Sequence, residues 1–296
     1  MKKVSIILTT YKGEDCIHRC LQAACSQDYP EYEVIVVDDN GRGSESQVLT
    51  ERLVNPFVEK YNVKYIVHES NKNGSVARNT GIRNSSGEYI TFLDDDDVLY
   101  PNSLIDRVAA LENHTEEYGI VLGSFKIIRE GFNSQDNIYA FDGDILKDFL
   151  LNKIQSPSTV IMVRKTVIDK VGLWDESFLR HQDWEFVTRV VYEYKACCTK
   201  EIIAEKYVIQ RNFPSDPEVF KERRLHYLRK MQPYMNRFDM KTKNDILYVH
   251  FFEISKSYLK LHDIKNTMKW AIKTKKPIKA CINLVVDAVA YRKRKT

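Results

Sequence analysis

Four short runs rich in β-branched and aromatic residues recur along the first third of the chain, at residues 4–8, 33–37, 63–67 and 89–93. Between them lie three stretches with helical spacing, at residues 14–25, 47–61 and 75–83. A short apolar run without period-two alternation reads as a strand buried on both faces. Strand, helix, strand, repeated in this way, leaves few folds open. Each crossover has to return the chain so that the next strand lies parallel to the last. The expected fold class is therefore α/β, a Rossmann-like, mostly parallel sheet with helices on both faces.

In such sheets ligands bind outside the carboxyl ends of the strands. Three polar clusters fall there: Thr9-Thr10-Tyr11, Asp38-Asp39-Asn40, and the four aspartates Asp94, Asp95, Asp96 and Asp97. Four adjacent carboxylates repel one another, and either water or a divalent cation must absorb that cost. A solvated acidic turn ahead of a helix near Pro101 is the plain reading. Three polar clusters brought to one edge by one topology favour a ligand site.

The usual phosphate signatures, Gly-x-Gly-x-x-Gly and Gly-Lys-Ser/Thr, are absent. Carboxylates repel phosphate unless a cation lies between, so a metal on Asp96 bridging to a diphosphate is the consistent combination. Asp39 could accept from a base N–H, and Tyr11 could stack on the ring. Lys72 and Arg78 are the nearby cations. For Arg78, pairing with phosphate and a structural salt bridge to one of the aspartates are both open.

The length of 296 residues fits one large α/β domain plus an appendage. The net charge of +4 is too small to argue for nucleic acid. Six cysteines include no Cys-x-x-Cys pair, which speaks against zinc, and Cys16 and Cys20 read as helix-packing thiols. Met1-Lys2-Lys3 leads straight into a strand, so a reducing cytoplasm is expected, and no apolar run reaches the length of a membrane span. Further on, the pattern predicts a helix over 101–113 capped through Asn102 or Ser103, a strand over 120–128, a polar loop at 133–137, a short helix over 145–151, and strands over 159–163 and 202–210. Near Asp183 a helix starts, and its carboxylate is either an N-cap or a general base. After Pro217 four helices follow without strands, over 220–235, 244–261, 264–273 and 278–291. The last is apolar on one side and ends in Tyr291-Arg292-Lys293-Arg294-Lys295. Docking on a membrane surface and packing on the rest of the protein both fit it.

Taken in order, the segments Val4-Ser5-Ile6-Ile7-Leu8-Thr9-Thr10-Tyr11, Val36-Val37-Asp38-Asp39-Asn40, Gly74-Ser75-Val76-Ala77-Arg78-Asn79-Thr80-Gly81, Phe92-Leu93-Asp94-Asp95-Asp96-Asp97, Trp174-Asp175-Glu176-Ser177-Phe178 and Gln182-Asp183-Trp184 resemble a family 2 inverting glycosyltransferase of the GT-A fold, of the bacterial surface-polysaccharide type. The resemblance covers about residues 1–210. It implies a GT-A domain over 1–214 and a C-terminal helical region over 215–296. It also implies transfer of a single sugar, with inversion, from a nucleotide diphosphate-sugar (a UDP-sugar) to a saccharide or lipid-linked saccharide.

By the same resemblance Thr9, Thr10, Tyr11 and Asp39 hold the nucleoside, and Arg78, Asp94 and Asp95 complete the donor site. Asp96 holds the metal, Mn²⁺ or Mg²⁺, and Asp183 is the catalytic base. Ser158 and Trp184 fall on the acceptor side, and Arg211 falls where a lid residue covers the diphosphate. Gln182 departs from the usual Glu-Asp pair, and the Gln-x-x-Arg-Trp motif of processive members is absent, which favours a single addition. The inner face of the plasma membrane is the implied location, with the basic C-terminal helices as the contact. A nucleotidyltransferase and a non-catalytic sugar-nucleotide-binding subunit are the alternatives.

Overall fold

The computed structural model describes residues 1–208 and 216–293, with side chains to residue 287. The chain divides into two compact units, one of residues 1–146 with 155–212, the other of residues 147–154 with 213–296.

The first unit is built on a nine-stranded sheet. Strands β1 (Val4–Thr10), β2 (Tyr32–Asp38), β3 (Val63–Val67) and β4 (Tyr89–Asp94) are parallel, in the order β3-β2-β1-β4. Helices α1 (Ile17–Ala24), α2 (Glu45–Lys60) and α3 (Gly74–Arg83) link them. Right-handed crossovers put α1 and α2 on one face and α3 on the other, because the path reverses after β3. The reversal leaves β1 and β4 side by side, with Thr9 paired to Asp94. That is the switch point at which such sheets bind ligands.

β4 ends in the aspartates, followed by β5 (Val98–Leu99) and α4 (Ser103–Glu112). Asn102 precedes α4 but makes no capping bond to its backbone; its amide goes to Asp106. The sheet then continues with β6 (Tyr118–Ile128), β7 (Gln135–Asn137), β8 (Ile161–Arg164) and β9 (Lys195–Tyr207). β8 is antiparallel to β4 and β6, whereas β9 runs parallel to β6 and antiparallel to β5. The polar loop expected at 133–137 thus contains β7. The strand expected over 159–163 starts as a 3-10 turn, Ser158–Val160.

Between β6 and β9 also lie α5 (Leu146–Leu150), α6 (Lys165–Val171) and α7 (Gln182–Glu193). Ile6, Ile7, Leu8, Val36, Ile90, Phe92 and Leu93 have no exposure to solvent, as expected of strands covered on both faces. Arg107 on α4 is buried too. It donates to Thr91 Oγ1 and to the carbonyls of Thr159 and Ile161, so one side chain ties α4 to the β4–β8 seam.

The second unit contains α8 (Pro217–Met235), α9 (Met240–Leu259), α10 (Ile264–Lys273) and α11 (Pro277–Lys293). Asp216, Asp239 and Asp263 cap the first three by accepting from the backbone N–H of Glu218, Thr242 and Asn266. His250 is fully buried, between the Arg224 guanidinium at 3.2 Å and the Leu150 carbonyl at 3.2 Å. Among the described residues no helix is long and apolar enough to cross a membrane.

Candidate active site

The carboxyl ends of β1, β2 and β4 carry the predicted residues. Thr10 is buried, and its Oγ1 donates to Asp95 Oδ2 at 2.8 Å. The Tyr11 N–H donates to the same oxygen at 3.1 Å, while Tyr11 as a residue is 46% exposed. Gly13 makes this approach possible, since a Cβ there would lie 1.9 Å from Asp95 Oδ2. Asp95 therefore fixes the turn after β1.

Asp39 has a comparable job after β2. Its Oδ1 accepts from the Lys72 N–H and faces His68 Nδ1, and its Oδ2 accepts from the Asn73 N–H and the Asn71 amide. Four partners fill a carboxylate's lone pairs. Asp39 thus organises residues 68–73.

Asp94, Asp96 and Asp97 turn the other way and converge. Asp94 Oδ1 accepts from Arg78 at 2.7 Å and from Ser158 Oγ at 2.6 Å. Arg78 also donates to Ser158 Oγ at 3.1 Å and to Gln182 Oε1 at 2.8 Å, with its guanidinium 4.7 Å from the Trp174 ring centre. Ser158, expected on the acceptor side, is therefore wired to Asp94 and Arg78. The salt-bridge reading of Arg78 holds, yet the same guanidinium reaches toward the start of α7, and its buried Nε has no hydrogen-bond partner among the described residues. Trp174 is buried between Phe92 and Phe186, and Asn79 clamps its backbone with two bonds of 2.9 Å.

Asp97 is fully buried. Its Oδ1 accepts from the Tyr207 N–H at 3.0 Å, and its Oδ2 accepts from Thr159 Oγ1 and from the Lys206 ammonium at 2.9 Å. Lys206 Nζ also lies 3.2 Å from Asp94 and 3.6 Å from Asp96. Arg19 on α1 donates to the Asp96 carbonyl and stacks 3.9 Å from the centre of the Tyr207 ring.

Burial works to raise the Asp94 carboxyl, but Lys206 and Arg78 outweigh it and hold it well below the usual range. Asp97 goes the opposite way, to about 7, because burial, Asp94 and Asp96 together exceed the pull of Lys206. Burial tends to discharge Lys206, and Asp97, Asp94 and Asp96 reverse that, holding its ammonium well above the ordinary lysine value.

One carboxylate oxygen each from Asp94, Asp96 and Asp97 lie within 4.8 Å of one another. Such hard, anionic oxygen donors suit Mg²⁺ or Mn²⁺. The Lys206 ammonium, standing among them, shows that the cluster holds a cation. The donor set therefore fits a divalent metal.

Asp183 lies in the first turn of α7. His181, just before it, adopts the left-handed conformation (φ 61°, ψ 28°), a cost of about 1 kcal/mol for a non-glycine residue. Burial raises the Asp183 carboxyl to about 6, with Arg78 opposing and Asp94 reinforcing the shift. The Trp184 ring packs edge-on against His181, 4.5 Å between centres.

Thr9, Thr10, Tyr11, Asp94, Asp95 and Asp96 thus cluster at the β1–β4 switch point, and Arg78 links Asp94 to Gln182 beside Asp183. Asp39 is engaged with its own loop. Arg211 lies outside the described residues. Sequence reading assigned no role to Lys206, Asp97, Thr159 or Asn79. Asp97, as the fourth aspartate of a run, and Asn79, within the segment 74–81, carried a signal; Lys206 and Thr159 carried none.

The model of the family described as glycosyl transferase family 2 matches residues 5–172. An uncharacterised glycosyltransferase of Rickettsia conorii is 35% identical over 131 residues, covering 44% of this chain and 21% of that protein. Poly(ribitol-phosphate) β-N-acetylglucosaminyltransferase TarP of Staphylococcus aureus is 28% identical over 222 residues, 73% of this chain and 65% of TarP. The chain thus spans less than two thirds of either.

Among solved structures, S. aureus TarS (residues 1–349) in complex with UDP-GlcNAc superposes with a TM-score of 0.62 at 19% identity, covering 90% of this chain and 89% of that one. A mannosyltransferase of Pyrobaculum calidifontis in complex with GDP-Man and Mn²⁺ gives 0.61 at 17% identity, with coverage of 98% and 80%. These two structures establish a shared fold, the GT-A arrangement of a mixed, mostly parallel sheet. With the family model matching more than half its length, and the strand-end motifs gathered at one switch point, the chain belongs to glycosyl transferase family 2.

Proposed function

We propose that the chain is an inverting, metal-dependent glycosyltransferase. It moves one sugar from a UDP-sugar to a saccharide or lipid-linked saccharide in bacterial surface-polysaccharide synthesis. The observation that carries this reading is the network in which Asp94, Arg78, Ser158 and Gln182 meet, with the raised carboxyl of Asp183 beside it. The name of TarP, the UDP-GlcNAc complex of TarS, and the name of a Campylobacter jejuni GalNAc(5)-diNAcBac-PP-undecaprenol β-1,3-glucosyltransferase (30% identical over 162 residues) support the donor and acceptor classes.

In this reading the transferase domain is the sheet-bearing unit within residues 1–214, less residues 147–154, which group with the C-terminal helices. Thr9, Thr10 and Tyr11 meet the nucleoside; Asp39 and Asp95 act on it through the turns they fix. Arg78, Asp94 and Ser158 form the wall around the donor sugar, and Trp184 lies toward the acceptor. Asp96, with Asp94 and Asp97, would hold Mn²⁺ or Mg²⁺, which supplies positive charge to the leaving diphosphate.

Asp183, at about 6, is ionised at neutral pH and still basic enough to serve as general base. It takes the acceptor hydroxyl's proton as the acceptor oxygen bonds to the anomeric carbon. The bond from that carbon to the β-phosphate oxygen breaks, and its electron pair leaves with the nucleoside diphosphate.

We place this activity in the cytoplasm at the inner face of the membrane. Ile264, Met268 and Ile272 form an exposed apolar stripe on α10, with Lys265, Lys269 and Lys273 one position on. Such paired stripes suit an anionic lipid surface. Flotation with vesicles containing phosphatidylglycerol should carry the protein, and Ile272→Asp should abolish it.

Thermal unfolding with UDP, UDP-sugars and GDP-mannose, each with and without Mn²⁺, tests the core of the proposal. A metal-dependent rise with a uridine nucleotide is expected. Folded protein that no nucleotide shifts would overturn it.

A further inference from the structure

Lys206 is the last residue but one of β9, and it meets Asp94 at Oδ2, while Arg78 holds Oδ1. Its ammonium lies 2.9 Å from Asp97, 3.2 Å from Asp94 and 3.6 Å from Asp96. Those are the three carboxylates whose oxygens come within 4.8 Å of one another. A divalent ion held by these carboxylates would sit among their oxygens, at the short distances hard cations require. The Lys206 ammonium, 2.9–3.6 Å from one oxygen of each of these carboxylates, occupies the same region. The two cations exclude each other sterically as well as by charge.

We propose that Lys206 is a built-in counter-cation of the carboxylate cluster, one that a divalent metal must expel in order to bind. This rests on the metal-dependent reading given above and adds a gate to it. The surroundings suit a departing lysine. Its side chain is 24% exposed, at a strand end, on a flexible four-carbon stem. Arg78, the other cation on Asp94, cannot leave so easily, since Ser158 and Gln182 hold it as well. Asp97 keeps its place without Lys206 through the Tyr207 N–H and Thr159 Oγ1.

Two consequences separate this from a purely structural lysine. Metal alone should bind weakly, because it has to displace a resident charge. Metal arriving with a nucleotide diphosphate should bind better, because the expelled ammonium gains an anionic partner.

Mn²⁺ binding to the full chain, followed by the loss of the free-ion electron paramagnetic resonance signal, tests the proposal without any turnover. Lys206→Met keeps length and removes charge. It should tighten binding of Mn²⁺ alone by about tenfold or more. Lys206→Arg keeps the charge and should stay within about threefold of the unmodified chain. Mn²⁺ binding that is no tighter in Lys206→Met overturns the gate and leaves the metal reading standing. Mn²⁺ that binds no form of the protein, with or without UDP, overturns both.

If Lys206→Met does not fold, reductive methylation of the unmodified chain read by mass spectrometry gives the answer. Lys206 should label slowly without metal and several-fold faster at saturating Mg²⁺. Equal rates overturn the proposal.

Discussion

Burial raises the Asp183 carboxyl to about 6, above an ordinary aspartate, and the sign of that shift governs both rate and stability. Between about pH 4 and pH 6 the folded protein holds a proton that the unfolded chain releases. The stability contributed by this group therefore falls as pH rises through that window and stays lost above it. Asp183→Asn should cut transfer by about a thousandfold while leaving UDP binding intact. The same variant should unfold at a higher temperature than the unmodified chain at about pH 7.5, by the equivalent of about 1–2 kcal/mol, with little difference at about pH 4.5. For the unmodified enzyme, kcat/KM should drop with a one-proton slope below about pH 6, the value read for Asp183.

The identity of this residue as a candidate base was legible only by resemblance, since a carboxylate at a helix start is equally an N-cap. Lys206 was not legible at all. Its partners Asp94 and Asp97 lie 112 and 109 positions away, and nothing local in a lysine near a strand end announces them. Gln182 stands where the usual pair has a glutamate. Its amide oxygen accepts from Arg78, so a neutral acceptor does the positioning while Asp94 carries the countercharge.

Elements with a strong local signal came out close to expectation. The runs at 4–8, 33–37, 63–67 and 89–93 are the cores of β1 to β4, because burial on both faces demands uninterrupted apolar residues. β5 and β7 have two and three residues, too few to carry a period, and they exist through pairing with β9 and β6. Helix α6, with seven residues between β8 and α7, was missed for the same reason.

At this scale the helical unit offers a further prediction. Burial, then the neighbouring Arg224, lowers His250 to about 3, so the ring stays neutral between Arg224 and the Leu150 carbonyl. The unfolded chain protonates near pH 6.5, so this contribution is intact above that value and is lost as pH falls toward 3. Its loss should reach about 2 kcal/mol by about pH 5. Melting curves of the unmodified chain and His250→Gln at about pH 5 and 7.5 should show a smaller pH dependence in the variant.

At the scale of the whole molecule, residues 147–154 group with the C-terminal helices rather than with the sheet that precedes and follows them in sequence. A composition change near residue 215 marks where the helices begin, but no sequence signal shows that an earlier segment belongs with them. Ending the chain at residue 212 should therefore do more than remove an appendage. It takes His250 from the Leu150 carbonyl and removes the helices with which residues 147–154, including buried Phe149 and Leu150, are grouped. Lower soluble yield and a lower unfolding midpoint are the expected results, measured against the full chain.

The saturation of Asp39 bears on attempts to re-engineer donor choice. One carboxylate is the common anchor for a ring, an amide and two backbone N–H groups from residues 68–73. That loop is thus not a cassette to be exchanged alone. A graft from another enzyme would need to supply the same four donors, or replace Asp39 along with them. Libraries aimed at new sugar nucleotides would do better to vary Tyr11, which is half exposed and is held to the scaffold through its backbone N–H.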